Sequence, residues 1–265
     1  MLQLYIIYCS VGAVAGILAG LLGIGGGLVI VPMLVFAFHL QHIPGDVTMH
    51  LALATSMASI IFTATSSFRA HHKRKAVRWD VVRRITPGIL VGTFCGSYFT
   101  ALVSTRSLKV IFILFLYTVA SQMLLDLRPN PSRELPGRIT MTGTGSLIGV
   151  ISSLVGIGGG TMSVPFMTYC NVPLHHAIGT SAAIGLPIAL AGTAGYITGG
   201  LRVANLPPLA LGYVYLPALL GIATVSSITA PLGARLAHNL PVSQLKKFFA
   251  VLLFAIATKM LTELF

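Results

Sequence analysis

Two glycine-rich segments supply the backbone polar groups that are the first candidates for binding a ligand in this hydrophobic chain. The sequence GIGGG occurs at Gly23–Gly27 and again at Gly156–Gly160. A glycine run interrupts a helix, and a membrane tolerates the released backbone N–H and C=O groups only where they face protein or water. The helices predicted to open at Leu28 and Thr161 would present unbonded N–H groups with partial positive charge. Such helix N-termini are suited to binding an anion through backbone donors.

Hydroxyl pairs recur within the apolar helices downstream of both segments. In HLALATS and HHAIGTS, the pair Thr55-Ser56 matches the pair Thr180-Ser181. These hydroxyls either bind anion oxygens or donate to the carbonyl one turn earlier, and the sequence favours neither. A single glycine run would be explained by close helix packing, but its repetition, each time followed by Val-Pro, favours a binding site. The predicted ligand set is Gly23, Gly25, Gly26, Gly27, Thr55, Ser56, Gly156, Gly158, Gly159, Gly160, Thr161, Thr180 and Ser181.

Three basic or titratable residues are candidates for the mouth or gate of a pathway. His50 and His175 occupy matching places near predicted helix starts, where a capping or interfacial role is favoured over a gate. Arg202 follows GYITGG and either attracts anions at a mouth or anchors the chain at the membrane interface.

The acidic residues argue against tight coupling to a cation. All of them fall in predicted loops or at helix ends: Asp46, Asp80, Asp126, Glu134 and Glu263. Carriers coupled to H⁺ or Na⁺ commonly need a carboxylate inside the membrane, so such coupling is not expected.

No catalytic set is recognisable in the sequence. It contains no HExxH motif, no Ser-His-Asp arrangement at one depth and no paired carboxylates. Cys9, Cys95 and Cys170 are widely separated in apolar surroundings and are expected to be core residues. The protein is therefore not expected to be an enzyme or to hold a metal or cofactor.

The composition indicates the elements that must position these groups. Of 265 residues, 55% are hydrophobic and 8% charged, with a mean hydropathy of +0.90, which is typical of a polytopic membrane protein. The uncharged run Leu2–Leu40 would form a helix about 58 Å long against a hydrocarbon core of about 30 Å, so it contains more than one element. The net charge of +12 lies mostly in short loops, which excludes nucleic acid as an expected partner.

An internal repeat determines the predicted organisation. GLLGIGGGLVIVPML and SLVGIGGGTMSVPFM agree at 8 of 15 positions, and SLKVIF later matches QLKKFF. The prediction is an all-α polytopic membrane protein with two homologous repeats, residues 1–127 and 139–265. A polar linker, residues 128–138, joins them, and its prolines exclude a helix in lipid.

Each repeat is predicted to contain four or five helical segments, eight to ten in total, with the first helix broken at the glycines. The predicted helices span Leu2–Leu22, Leu28–Leu40, Met49–Phe68, Val81–Val103 and Leu108–Leu125, then Ile139–Leu154, Thr161–Cys170, His176–Tyr196, Leu209–Leu236 and Leu245–Leu264. If the short helix crosses the membrane, each repeat has five crossings and the repeats are inverted; if it only dips in, each has four and they are parallel. Five crossings place 13 of 17 Lys and Arg residues on one side and four crossings place 12, which favours inverted repeats with RAHHKRKAVR in the cytoplasm.

The duplicated glycine segment, with Val31-Pro32 and Val164-Pro165 downstream and the later ATS and GTS sequences, resembles the TauE/SafE sulfite exporter family. The resemblance runs along the whole chain. It implies a multi-pass protein of the cytoplasmic membrane that transports small sulfur-containing anions such as sulfite, sulfonates or sulfoacetate. Export is the leading expectation, because a potential near 100 mV, negative inside, drives a monoanion outward with about 2.3 kcal/mol.

Other functions stay open at this point. An uptake permease for an organosulfonate or another small anion would need a co-transported proton, and a non-transporting membrane scaffold would use the glycines only for packing. The expected partners are a small anion and the lipid bilayer, and assembly into a homo-oligomer is left open.

Overall fold

The computed structural model describes residues 2–22, 26–125, 134–239 and 242–264. These residues form ten α-helices and one short β-hairpin, which confirms the expected helical fold. The helices are α1 Leu2–Leu22, α2 Gly27–Leu40, α3 Gly45–Lys73, α4 Trp79–Thr100, α5 Thr105–Leu124, α6 Arg138–Val155, α7 Gly160–Tyr169, α8 Leu174–Gly200, α9 Leu216–Asn239 and α10 Val242–Thr262. By length and composition, α3, α5 and α8 are long and apolar enough to cross a membrane. Gly23, Gly25 and linker residues 128–133 lie outside the described residues.

The predicted helix Leu209–Leu236 was wrong in its first part. Strands β1 Ala210–Leu211 and β2 Val214–Tyr215 form an antiparallel hairpin there, and α9 begins only at Leu216. Gly212 in the turn has φ +55°, and a side chain at this position would meet the Ile197 carbonyl oxygen. Apolar content alone does not distinguish a short buried hairpin from a helix, which explains the error.

Helices α1 and α2 run in opposite directions. The hydroxyl of Tyr8, near the start of α1, donates to Oε1 of Gln41, which follows the end of α2, at 2.8 Å. The Tyr8 ring also packs edge-on against Phe38, with centroids 6.5 Å apart. Because only four residues separate the end of α1 from the start of α2, the pair forms an antiparallel helical hairpin. The expected glycine break thus separates two antiparallel helices instead of interrupting one continuous helix.

The two longest helices, α3 and α8, pack together in opposite directions. A Cβ at Gly192 would lie 3.2 Å from Sδ of Met57, and a Cβ at Gly185 would lie 3.7 Å from Cβ of Ala64. Contact partners therefore ascend along α3 while they descend along α8. Most of α3 is buried, so these helices form the centre of the molecule.

Two further helix pairs pack in parallel at glycines. In the α1–α9 pair, a Cβ at Gly12 would lie 2.9 Å from the Ile222 carbonyl oxygen, and one at Gly16 would lie 2.8 Å from Cα of Ser226. The α4–α6 pair repeats this pattern, because glycines of α4 adjoin backbone atoms of α6 in ascending order. Small residues allow helix backbones to approach this closely in a membrane protein.

Helix α4 also packs in parallel on α8. A Cβ at Gly192 would lie 3.2 Å from Cγ2 of Thr93, and a Cβ at Gly199 would lie 3.2 Å from the Tyr98 carbonyl oxygen. The order of contacts ascends along both helices, so α4 and α8 point the same way.

Candidate functional site

The second glycine segment turns the chain between α6 and α7. Helix α6 is closed by the N–H of Ile157, which donates to the Ser152 carbonyl at 3.1 Å. Gly156 and Gly159 have φ values of +68° and +63°, in the left-handed region that glycine adopts without steric cost. Gly159 then precedes the first residue of α7, and its carbonyl accepts from the N–H of Ser163 at 2.8 Å. The sequence needs glycine here because two of these positions have positive φ.

The described part of the first glycine segment has the same local geometry. Gly26 precedes α2 with φ +76°, and its carbonyl accepts from the N–H of Ile30 at 3.0 Å. Gly27 touches the second segment directly, since a Cβ there would lie 2.5 Å from the Gly156 carbonyl oxygen and 3.0 Å from Cα of Ile157. The structure therefore brings the two segments together, as a shared site requires.

Hydrogen-bond donors without partners border the second segment. The backbone N–H groups of Gly159 and Thr161 have no acceptor among the described residues. In the same part of the chain, Oγ of Ser152 and Oγ1 of Thr161 are buried and without a hydrogen-bond partner. Ser152 Oγ lies 3.9 Å from the position of a Cβ on Gly159. This arrangement can donate to an oxyanion placed at the positive end of the α7 dipole.

The two predicted serines connect the central helices to this region. Ser56 of α3 is fully buried and donates to the Gly156 carbonyl at 2.8 Å. Ser181 of α8 accepts from the Ser163 hydroxyl of α7 at 2.9 Å. Gly158 completes the contact with α3, because a Cβ there would lie 3.1 Å from Cγ2 of Ile60. Both serines lie at the glycine segment or its helix.

The two predicted threonines bond to backbone groups further along the sequence. Thr55 Oγ1 accepts from the N–H of Tyr215, directly before α9, at 3.0 Å. Thr180 Oγ1 accepts from the N–H of Arg78, directly before α4, at 2.9 Å. Each threonine therefore anchors the beginning of another helix, in addition to any role toward a ligand.

The two predicted histidines lie in unlike places. His50 is 4% exposed, and its Nε2 donates toward the carbonyl oxygens of Thr100 and Val103 at 3.2 and 3.0 Å. Its ring stacks on Tyr213 with centroids 4.8 Å apart. His175, in contrast, is exposed beside its neighbour His176.

The remaining charged candidate lies away from the glycine segments. Arg202 is exposed and follows the end of α8. Within the described residues, no group of three His, Cys, Asp or Glu side chains comes together as metal ligands.

Ser152 was not predicted from the sequence. It lies four residues before Gly156 in SSLVGIGGG, so a search for hydroxyls one turn before the glycines would have found it. Comparing the two repeats does not single out Ser152, because Ala19 occupies the matching position in the first half.

Comparison with known proteins identifies the family. The family described as Sulfite exporter TauE/SafE matches residues 8–260. A probable membrane transporter protein of Haemophilus influenzae is 41% identical over 260 residues, which cover 97% of this chain and 98% of that protein. The probable membrane transporter protein YunE of Bacillus subtilis is 28% identical over 216 residues, covering 74% of this chain and 79% of that protein. No solved structure matches significantly. The chain therefore belongs to the TauE/SafE sulfite exporter family.

Proposed function

We propose that this protein transports a small sulfur-containing oxyanion, such as sulfite or a sulfonate, across the cytoplasmic membrane. The observation that carries the proposal is the pair of unpartnered buried hydroxyls, Ser152 and Thr161, beside the N-terminus of α7. A buried donor without a partner costs about 1–3 kcal/mol, and a bound anion would remove this cost. The free N–H groups of Gly159 and Thr161 add backbone donors at the same place.

We further propose that residues 1–127 and 139–265 are inverted repeats. Helices α3 and α8 match in sequence and run antiparallel, as judged from the Met57–Gly192 and Ala64–Gly185 approaches. The hairpin of α1 and α2 either crosses the membrane twice or returns within it, and α3, α4 and α5 follow. Both readings give the first repeat an odd number of crossings, and an odd number supports inversion of the second repeat.

Export driven by the membrane potential is the direction that the charges favour. The described acidic residues lie in loops or at helix ends, with Asp46 and Asp80 in first turns and Glu134 and Glu263 outside helices. A monoanion that leaves the cell across a potential of about 100 mV, negative inside, gains about 2.3 kcal/mol without a coupling ion.

Reconstitution into liposomes tests this function. Sulfite or methanesulfonate efflux is measured at several potassium diffusion potentials, with a pH gradient imposed in a separate series. The proposal expects flux that increases with the potential and is indifferent to the pH gradient. Flux that follows only the pH gradient would establish a proton-coupled permease, and absence of flux for all such anions would contradict transport of this class.

Two neighbouring serines provide a matched test of the binding place. Ser152 and Ser153 are both fully buried, but the Ser153 hydroxyl donates to the Val150 carbonyl at 2.7 Å whereas that of Ser152 has no partner. Ser152→Ala should raise the KM of efflux about tenfold, equivalent to losing one hydrogen bond of about 1.4 kcal/mol to a charged group. Ser153→Ala should leave KM within about twofold. Equal effects of the two substitutions would locate the anion elsewhere.

The Gly158→Ala variant tests whether the second glycine segment binds the anion or serves only helix packing. Its φ is not positive, and the added Cβ would meet only side-chain atoms of Ile60, so the fold should tolerate it. A monodisperse, thermally stable variant with reduced flux supports a binding role. Unchanged flux in that variant would make Gly158 a packing residue and would contradict its role in binding the anion.

A further inference from the structure

A cleft of about 680 Å³ lies between the C-terminal half of α3 and α9. The described residues that line it are Ile61, Phe62, Thr65, Ser66, Arg69, Ala70 and Lys73 of α3 and Ser227 of α9. They recur at the spacing of one helix face, so a single face of α3 forms most of this wall. The cleft opens at the end of α3 where the basic loop at residues 74–78 begins.

The two basic side chains in the cleft are not neutralised. Arg69 and Lys73 are exposed, four residues apart on the same face, and neither has a carboxylate partner among the described residues. The ion pair that the structure describes nearby is between Arg78 and Asp80. Two unpaired cations in a cleft with low-dielectric walls concentrate small anions.

The matching face of α8 is uncharged, and it is buried at Ala191 but exposed at Ala194 and Thr198. Along the repeat, Arg69 and Lys73 correspond to Ala194 and Thr198, and Ser66 corresponds to Ala191. This face adjoins α4, where a Cβ at Gly195 would lie 2.6 Å from the Phe94 carbonyl oxygen. The two related helix faces therefore differ in charge, and they differ in burial at the matched pair Ser66 and Ala191.

The inner end of the cleft adjoins the candidate site across α3. Ile61 lines the cleft and also packs against a small separate cluster of Ile60, Ala64 and Ala189. Ile60 is fully buried and is the residue that faces Gly158. In this structure these isoleucines separate the cleft from the glycine segment.

We propose that the α3–α9 cleft is the entrance for the anion on the side of the basic loop, and that Arg69 and Lys73 are its recruiting residues. The ligand class is a small oxyanion from the aqueous phase. The inference rests on the proposed transport function for its purpose, but the recruitment of anions by the cleft is measurable without transport.

Thiol labelling tests the cleft directly. The Ser66→Cys variant is labelled in phosphatidylcholine nanodiscs with the anionic reagent 2-sulfonatoethyl methanethiosulfonate and with the cationic 2-trimethylammonioethyl analogue. The parent protein, with its three native cysteines, gives the blank. Ala191→Cys on the matching face of α8 is the closed control, because Ala191 is 8% exposed. The Ser66→Cys thiol should react with both reagents and faster with the sulfonate, while the Ala191→Cys thiol should stay unlabelled.

Removing the two charges tests whether Arg69 and Lys73 cause the preference for the anionic reagent. In the Ser66→Cys background, Arg69→Gln with Lys73→Gln should reduce the anionic-to-cationic rate ratio about tenfold, and about 1 M salt should do the same. The matched control, Arg74→Gln with Lys75→Gln, removes the same charge on the same side outside the cleft and should change the ratio less than about twofold. Equal effects of the two double variants would overturn the proposal. Labelling of the Ala191→Cys variant at the rate of the Ser66→Cys variant would overturn it as well.

Two further experiments ask whether the anion in the cleft is a lipid headgroup and whether the cleft serves transport. If phosphatidylglycerol in the nanodisc abolishes the preference for the sulfonate, a lipid headgroup occupies the cleft and the entrance role is overturned. In liposomes, the double variant of Arg69 and Lys73 should raise KM for sulfite only from the basic-loop side and leave the maximal rate unchanged. Labelling as expected without flux of sulfite or of any sulfonate would contradict the proposed function and keep the anion-recruiting cleft.

Discussion

The two halves of the chain place matching residues in surroundings that are alike at the backbone and unlike at the side chains. Gly26 and Gly159 precede short helices with nearly the same left-handed φ. Thr55 and Thr180 each accept a backbone N–H directly before α9 or α4. In contrast, His50 is buried while its counterpart His175 is exposed.

The repeated sequence therefore specifies the same backbone geometry in both halves, but it does not specify the same surroundings for the side chains. Backbone requirements, such as a positive φ or an anchored helix start, recur because the same turn is built twice. Side chains at matching positions diverge because the set on α3 lines a charged cleft and the set on α8 carries no charge.

The largest expected effect comes from the contact between the two glycine segments. Gly27→Ala places a Cβ 2.5 Å from the Gly156 carbonyl oxygen and 3.0 Å from Cα of Ile157, both backbone atoms that no rotamer change can move. We expect a destabilisation of about 3 kcal/mol, at the upper end of overpacking effects, with loss of monodisperse protein in detergent.

Gly45→Ala is the matched control, because a Cβ there meets nothing within 4 Å. Size-exclusion profiles and the unfolding temperature of the two variants check the comparison. A Gly27→Ala protein as stable as Gly45→Ala would show that the two segments do not touch as described.

The second-largest difference in stability is expected between substitutions of the matching histidines. His50→Ala removes the donor to the Thr100 and Val103 carbonyls and the stack on Tyr213, leaving a buried cavity and unbonded acceptors. A loss of about 2–3 kcal/mol is expected. His175→Ala, at an exposed position, should stay within about 0.5 kcal/mol. Thermal unfolding in detergent measures the stability of both variants. Equal losses of stability would contradict the distinction between a buried His50 and an exposed His175.

The matching threonines should show the smallest difference. Thr55→Val and Thr180→Val each strand one backbone N–H, of Tyr215 or Arg78, at a cost of about 1–3 kcal/mol. The loss should be greater for Thr55, because its bond is fully buried and that of Thr180 is partly buried. Thermal unfolding with and without sulfite checks this point, since sulfite is expected to stabilise the parent and both variants alike. A variant that sulfite no longer stabilises would make that threonine a ligand of the anion.

Most of the helices were predictable, and the details of the site were not. The end of α1 at Leu22 and the start of α2 near Leu28 follow from the glycine run, since glycine lacks the backbone preference that continues a helix. The hairpin before α9 was missed because its residues are as apolar as those of a helix. All of the ligand assignments stay predictions, and Gly23 and Gly25 also lie outside the described part of the chain.

The sequence by itself indicated a helical membrane protein and predicted two related halves, each with a glycine segment that opens a short helix. Composition and repetition are local properties, so they are readable without coordinates. Only the tertiary structure decided that Gly27 touches Gly156, that the threonines anchor helices distant in sequence, and that Ser152 is left without a partner. These facts depend on which residues meet across long stretches of chain, and the direction in which helices pack sets those meetings.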